Sequence, residues 1–143
     1  MRKLIDLYYT MWVDTIIKFK SVPINKDDWK YKSILYISMA MALQWAFLIA
    51  LFERHITHTH YYKLDIDIFP GDNIDAFITF FILYLLPFLI INYLLIFLRD
   101  RYKVLINTYE YKNGKYFLIY TIGTFISFAL LMLAGLIWKI VTE

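Results

Sequence analysis

The chain has 143 residues, of which 61% are hydrophobic and 19% charged, and its formal net charge is +3. This apolar fraction exceeds that of an average soluble domain, which is about half apolar. The chain contains no cysteine, which excludes disulfides, thiolate metal sites and cysteine nucleophiles. The small basic excess is no strong signal for nucleic-acid binding.

Residues 4–20 form the first predicted element, an amphipathic helix. Its polar side chains recur at helical spacing and are Lys3, Asp6, Thr10, Asp14 and Lys18. Asp14 and Lys18 are spaced for an ion pair. Such a helix either lies flat in the headgroup region of a membrane or packs its apolar face on neighbouring protein, and the sequence leaves both open. Since no small-residue cleavage site follows, we expect the segment to stay in the mature protein.

Three later stretches contain no Asp, Glu, Lys or Arg and are long enough to cross a bilayer. They run from Ser33 to Phe52, from Ala76 to Leu98 and from Tyr116 to Trp138. At about 1.5 Å per residue, about 20 residues match a hydrocarbon core of about 30 Å. Barrel strands alternate apolar and polar residues, whereas these runs are continuously apolar and therefore favour helices. We predict a single, all-α integral membrane domain with spans at 33–54, 76–98 and 116–139, an outer loop at 55–75, and a cytoplasmic extension and turn at 99–115.

The distribution of basic residues predicts the orientation of these spans. Seven Lys and Arg residues precede the first span and five lie between the second and third. Only two lie between the first and second charge-free stretches, and one follows the third. Because basic residues near span ends stay in the cytoplasm, we expect a cytoplasmic N-terminus and an outside C-terminus in a bacterial-type plasma (inner) membrane.

The second span is predicted to continue into the cytoplasm as a single helix from Asn73 to about Lys112. The segment 99–111 contains no Gly or Pro, and Asn113-Gly114 is a natural helix stop. Pro87, near the middle of the span, predicts a kink. We expect this extension to be where a regulatory protein or ligand binds at the cytoplasmic face.

An aromatic stripe follows one arc of the second span. Its members are Phe77, Phe81, Tyr84 and Phe88, and Asn92 continues the line one turn further. The rings can pack against the other spans or face lipid. Alternatively, they can line the axis of an oligomer, where bulky rings close a pore by dewetting. In that hypothesis Asn92 hydrogen-bonds between copies and fixes their register.

Small residues mark one face of the first span and one face of the third. They are Ser38, Ala42, Ala46 and Ala50 in the first span, and Gly123, Ser127 and Ala134 in the third. Small residues let helix backbones approach closely, so we expect both faces to pack against helices of this chain or of another copy. Gln44, in the middle of the first span, needs a hydrogen-bond partner. The expected partners are Asn92, Thr121, Thr124 or the Gln44 of another copy.

Three histidines, His55, His58 and His60, follow the first span and are weak candidates for metal ligands. Their spacing matches no recognised zinc motif, so a solvated cluster is favoured and no metal or cofactor is predicted.

The alternating segment 64–68 predicts a short extended stretch. No acid or base lies within the three charge-free stretches, where proton relays need one, and no phosphate-loop or nucleophile motif is present. We therefore predict that the protein is not an enzyme.

In size and layout the chain resembles the small transmembrane effectors of bacterial antiviral systems, which oligomerise and depolarise the inner membrane. No motif carries this resemblance. It implies a homo-oligomeric, pore-capable protein in which the second span lines the axis. The alternative is a non-conducting accessory or scaffold subunit that docks a larger membrane partner through its small-residue faces, and a metal-binding membrane enzyme is a third hypothesis.

Overall fold

The computed structural model describes residues 2–25, 27–53 and 72–142, with side chains described in the last range for 74–130 and Leu133, and it is helical throughout. Helix α1 is Arg2–Ser21, a 3-10 turn follows at Pro23–Asn25, and α2 is Trp29–Phe52. Helices α3 (Asp72–Phe80) and α4 (Leu86–Asn92) are joined by a π-helical turn, Phe81–Leu85, and a second π-helical turn follows at Tyr93–Phe97. We call this continuous unit the 72–97 rod. A 3-10 turn at Leu98–Asp100 leads to α5 (Arg101–Thr108), and α6 is Lys115–Thr142.

Among the described residues, two helical stretches are long and apolar enough to cross a membrane: Trp29–Phe52 and Ile74–Thr108. The all-helical prediction is thus confirmed, and two of the three predicted spans coincide with such stretches. Helix α6 has 28 residues, and Lys115–Leu130 within it is a shorter apolar stretch. The third span stays a prediction.

Helix α1 packs on the rest of the chain, which is one of the two alternatives left by its amphipathic pattern. It contacts α2, α5 and α6, and its middle, from Met11 to Ile16, is buried. The Trp12 ring is fully buried and meets the Phe97 ring edge-on, at 5.7 Å between centroids. The first turn of α1 remains exposed.

The prediction of one helix from Asn73 to Lys112 is wrong, because the chain turns sharply at Leu98–Asp100. Leu98 is extended, with ψ of 129°, and Arg99 and Asp100 are both left-handed, with φ of 53° and 57°. Left-handed residues other than glycine cost about 1–2 kcal/mol each. Packing after the turn offsets that cost, since α5 folds back against α1 and the Tyr102 ring is buried 5.2 Å from the Trp29 ring.

Helix α2 is central, since both the 72–97 rod and α6 pack against it. Helix α1, the 98–114 connection and the start of α6 gather at one end of the bundle, which we call the basic end. Within this end the Tyr109 hydroxyl donates to Asp6 at 3.3 Å, and Lys30 Nζ of α2 lies 3.7 Å from the Asp100 carboxylate.

The small-residue faces are packed only in part. Ser38 and Ala42 are fully buried, Ala46 is half-buried and Ala50 is exposed. At Gly123 an added Cβ would meet nothing within 4 Å, so no described helix of this chain approaches this residue closely, and packing against another copy stays a prediction. Ser127 is half-buried and donates to the Thr124 carbonyl at 2.8 Å. The Ala134 side chain lies outside the described residues.

Candidate functional site

Asn92 is the centre of a hydrogen-bonded triad that joins three helices. The Tyr8 hydroxyl of α1 donates to Asn92 Oδ1 at 2.7 Å. Asn92 Nδ2 donates to Ser38 Oγ of α2 at 2.9 Å, and it also lies 3.5 Å from Met41 Sδ. Asn92 is only 1% exposed. Both ends of its amide thus have partners within the chain, and the contact between copies that the pore hypothesis assigns to Asn92 stays a prediction.

A second triad joins α2 to α6. Gln44 Nε2 donates to Thr124 Oγ1 at 2.8 Å, and the Tyr120 hydroxyl donates to Gln44 Oε1 at 3.1 Å. Thr124 Oγ1 donates in turn to the Tyr120 carbonyl at 2.9 Å. Of the four expected partners of Gln44, Thr124 is the one that it contacts in this chain. We refer to the two triads together as the polar cluster.

The polar cluster is chemically neutral. It contains two amides and four hydroxyls, and burial raises the pKa of Tyr8, outside the predicted spans, to about 12. The Tyr8 hydroxyl therefore stays protonated near neutral pH and acts as a donor. Hydrogen bonds of this kind hold helices together, and none of these groups can relay a proton as an acid or base near neutral pH.

The Asp14 carboxylate makes a contact at the basic end that differs from the ion pair predicted from the sequence. Its carboxylate is fully buried and accepts the backbone N–H groups of Lys112, at 2.7 Å, and Tyr116, at 2.9 Å. Tyr116 lies in the first turn of α6, where backbone N–H groups lack helical partners and the helix dipole favours an anion. We call this contact the Asp14 cap. It replaces the predicted ion pair with Lys18, whose stem lies over Gly114 instead.

The aromatic stripe does not form one surface with Asn92. Phe77 is 67% exposed and Phe81 39% exposed, whereas Tyr84 and Phe88 are half-buried. The π-helical turn Phe81–Leu85 lies between Phe77 and Asn92. A π-helical turn contains one residue more than the corresponding α-helical stretch. The residues that follow it are therefore rotated by about 100° about the helix axis. The outer rings therefore face away from the bundle while Asn92 points into it.

Two apolar pockets adjoin along α6, and we call them together the α6 crevice. Its lower part, about 260 Å³, lies among α1, α2 and α6 and is lined by residues that include Leu4, Tyr8, Met41 and Tyr116. Its upper part, about 510 Å³, lies between α2 and α6 and is lined by residues that include Gln44, Leu48, Gly123 and Ser127. Ile119 and Tyr120 line both parts. The crevice therefore passes beside both triads.

Within the described ranges, no group of three His, Asp or Glu side chains could hold a metal ion. The three histidines and the predicted extended stretch 64–68 lie outside the described residues. The chain matches no protein-family model, no curated protein and no solved structure. The geometry itself offers neutral hydrogen bonds, one buried anion and extensive apolar surface.

Proposed function

We propose that this protein is a membrane-embedded assembly subunit that does not conduct ions. In this proposal α2, the 72–97 rod and α6 are three membrane spans, with the N-terminus in the cytoplasm of a bacterial-type cell and the C-terminus outside. The bundle is complete in one chain. The outer aromatic rings of the rod, at Phe77 and Phe81, contact a transmembrane partner.

The observation that carries the proposal is the closure of the polar cluster within a single chain. A conducting path needs polar groups or water along its walls. The amides of Asn92 and Gln44 are the groups best suited to such a wall, and their hydrogen bonds go to Ser38, Tyr8, Thr124 and Tyr120 of the same chain. What the rod presents outward is apolar, which suits lipid or another helix.

A homo-oligomeric pore is the second candidate, and the exposure of Phe77 and Phe81 favours it. In an oligomer these rings could meet around an axis and close it by dewetting. The two candidates differ in oligomeric mass and in ion flux. The assembly subunit is expected to be monomeric in mild detergent and to give no ion flux in liposomes.

One experiment separates the two candidates. Ion flux is measured in liposomes for the wild type, for Phe81→Ser/Tyr84→Ser and for Phe125→Ser, which alters an exposed ring of α6 outside the stripe. The assembly proposal predicts a monomeric mass by light scattering and no flux in all three proteins. An oligomer whose flux rises with the double substitution, and not with Phe125→Ser, would overturn it in favour of the pore.

Site-specific photocrosslinking in cells tests the contact surface. A photoreactive side chain at position 77 is compared with one at position 125, because these two rings are similarly exposed, at 67% and 65%. The proposal predicts a discrete protein adduct at 77 and none at 125. Equal adducts at the two positions would contradict a specific partner surface.

Reporter fusions test the predicted topology. A reporter after Glu143 should face the outside, and one at Asn113 the cytoplasm. A cytoplasmic reporter after Glu143 would show that α6 does not cross the membrane, and it would remove the three-span part of the proposal.

A further inference from the structure

We propose that the α6 crevice binds one acyl chain of an anionic phospholipid, with its phosphate held at the basic end by Lys3 and Lys115. The inference rests on the proposed function only in requiring that the chain lies in a membrane. It adds a specific ligand, a site and a headgroup preference.

The length of the crevice fits a lipid tail. Its lining on α6 extends from Tyr116 to Ser127, and these eleven steps at 1.5 Å per residue span about 17 Å. One leaflet is half of a hydrocarbon core of about 30 Å. The crevice therefore begins at the basic end and extends for about the depth of one leaflet.

The lining of the lower part is unlike a surface for close helix packing. The bulky rings of Tyr8 and Tyr120 line it, whereas close helix packing needs small residues. A flexible hydrocarbon chain can follow such an uneven apolar lining.

Two lysines are sequence neighbours of residues that line the lower part of the crevice: Lys3 precedes Leu4, and Lys115 precedes Tyr116. Both lysines are exposed, and neither forms an ion pair within the described part of the chain. The acids Asp14 and Asp6 accept hydrogen bonds from backbone N–H groups and from the Tyr109 hydroxyl, so they are not partners of these lysines. A basic residue near an anionic surface contributes about a fivefold gain in affinity.

The test uses the full-length protein, reconstituted in vesicles of equal phosphatidylcholine and phosphatidylglycerol and released for native mass spectrometry. The wild type is expected to retain one phosphatidylglycerol. Gly123→Leu should lower this retention several-fold, because its side chain enters the upper part of the crevice without straining the bundle. Ala129→Leu is the matched control, since it enlarges an exposed position on α6 outside the crevice.

The headgroup contact is tested by charge removal. Lys115→Gln should lower the preference for phosphatidylglycerol over phosphatidylcholine about fivefold, whereas Arg101→Gln, an exposed position on α5, should leave it unchanged. Equal retention in Gly123→Leu and Ala129→Leu, or equal preference in both charge variants, would overturn the inference. A dimer that Gly123→Leu dissociates would also overturn it, because a second copy would then occupy the crevice. Extraction of the wild type from vesicles by alkaline carbonate would instead reject the membrane embedding on which the proposed function depends.

Discussion

The basic end and the opposite half of the bundle are built differently. At the basic end, α1 and the 98–114 connection are joined by the Asp14 cap and by the contact of Tyr109 with Asp6. In the opposite half, Ala50 and Phe77 are exposed and Gly123 faces open space. The contrast indicates that specific polar contacts fix the arrangement of the helices at one end. Apolar surface is left uncovered at the other end, where lipid or a partner can cover it.

The largest expected effect comes from removing the Asp14 cap. Asp14→Ala leaves two partly buried backbone N–H groups without their acceptor, and hydrogen bonds to a charged group contribute about 1.5–3 kcal/mol each. We expect the free energy of unfolding in detergent to fall by about 3 kcal/mol. Asp6→Ala, at the same end, removes one longer bond to a side chain and should cost less than about 1 kcal/mol. Equal losses in the two variants would show that the cap has no special role.

Substitutions at two alanines on one face of α2 compare how closely the two halves of the bundle are packed. Ala42 is fully buried and Ala50 is exposed. Ala42→Leu should lower the free energy of unfolding by about 1–3 kcal/mol through overpacking, whereas Ala50→Leu should change it by less than about 0.5 kcal/mol. Denaturation of both variants in the same detergent provides the measurement. A comparable loss for Ala50→Leu would mean that the outer half is also closely packed.

The Asn92 triad should contribute less than the cap. Hydrogen bonds between helices in lipid average about 0.6 kcal/mol, so Asn92→Leu should lower the free energy of unfolding by about 1 kcal/mol. A double-mutant cycle with Tyr8→Phe isolates the bond between the two side chains, for which we expect a coupling of about 0.6 kcal/mol. Zero coupling would contradict the direct hydrogen bond.

The smallest expected effect is at the left-handed turn. Glycine adopts positive φ without the penalty of about 1–2 kcal/mol, but it adds about 0.5–1 kcal/mol of backbone entropy. Arg99→Gly should therefore stabilise the protein by about 0.5 kcal/mol. Arg101→Gly, within helical α5, should destabilise it by about 1 kcal/mol. If both variants lose stability equally in thermal melts, the left-handed turn is absent in solution.

Much of the fold follows from local sequence pattern. The runs without charge in the first two predicted spans coincide with α2 and with most of the 72–97 rod, and the 4–20 periodicity coincides with α1. The turn at Arg99 and Asp100 could not be predicted in this way, because arginine rarely adopts left-handed backbone and a single aspartate, which adopts it more readily, does not mark a turn by itself. It forms because burying Tyr102 against Trp29 requires the chain to fold back.

The candidate site was less predictable, for two physical reasons. Helical periodicity assumes 3.6 residues per turn, so the π-helical turn Phe81–Leu85 rotates Asn92 away from the face assigned to it. The periodicity also places Asp14 with other polar residues, although its partners are backbone groups about a hundred positions along the chain. The one signal of its burial is the apolar context of Met11, Trp12, Ile16 and Ile17. The contact of Gln44 was easier to predict, because an amide in an apolar helix has few hydrogen-bond partners at the same level of the neighbouring helices.

The Asp14 cap also has a consequence for biosynthesis. Asp14 and Lys112 are 98 residues apart, so at about 5–20 residues per second the ribosome needs roughly 5–20 s between them. During that interval α1 has left the ribosome while the amides that its carboxylate will accept do not yet exist. The carboxylate is therefore hydrated until the last connection emerges, and α1 can settle into its final position only when the start of α6 arrives. The first helix to be synthesised is therefore among the last to dock. Its docking can occur only after the chain has been synthesised as far as α6.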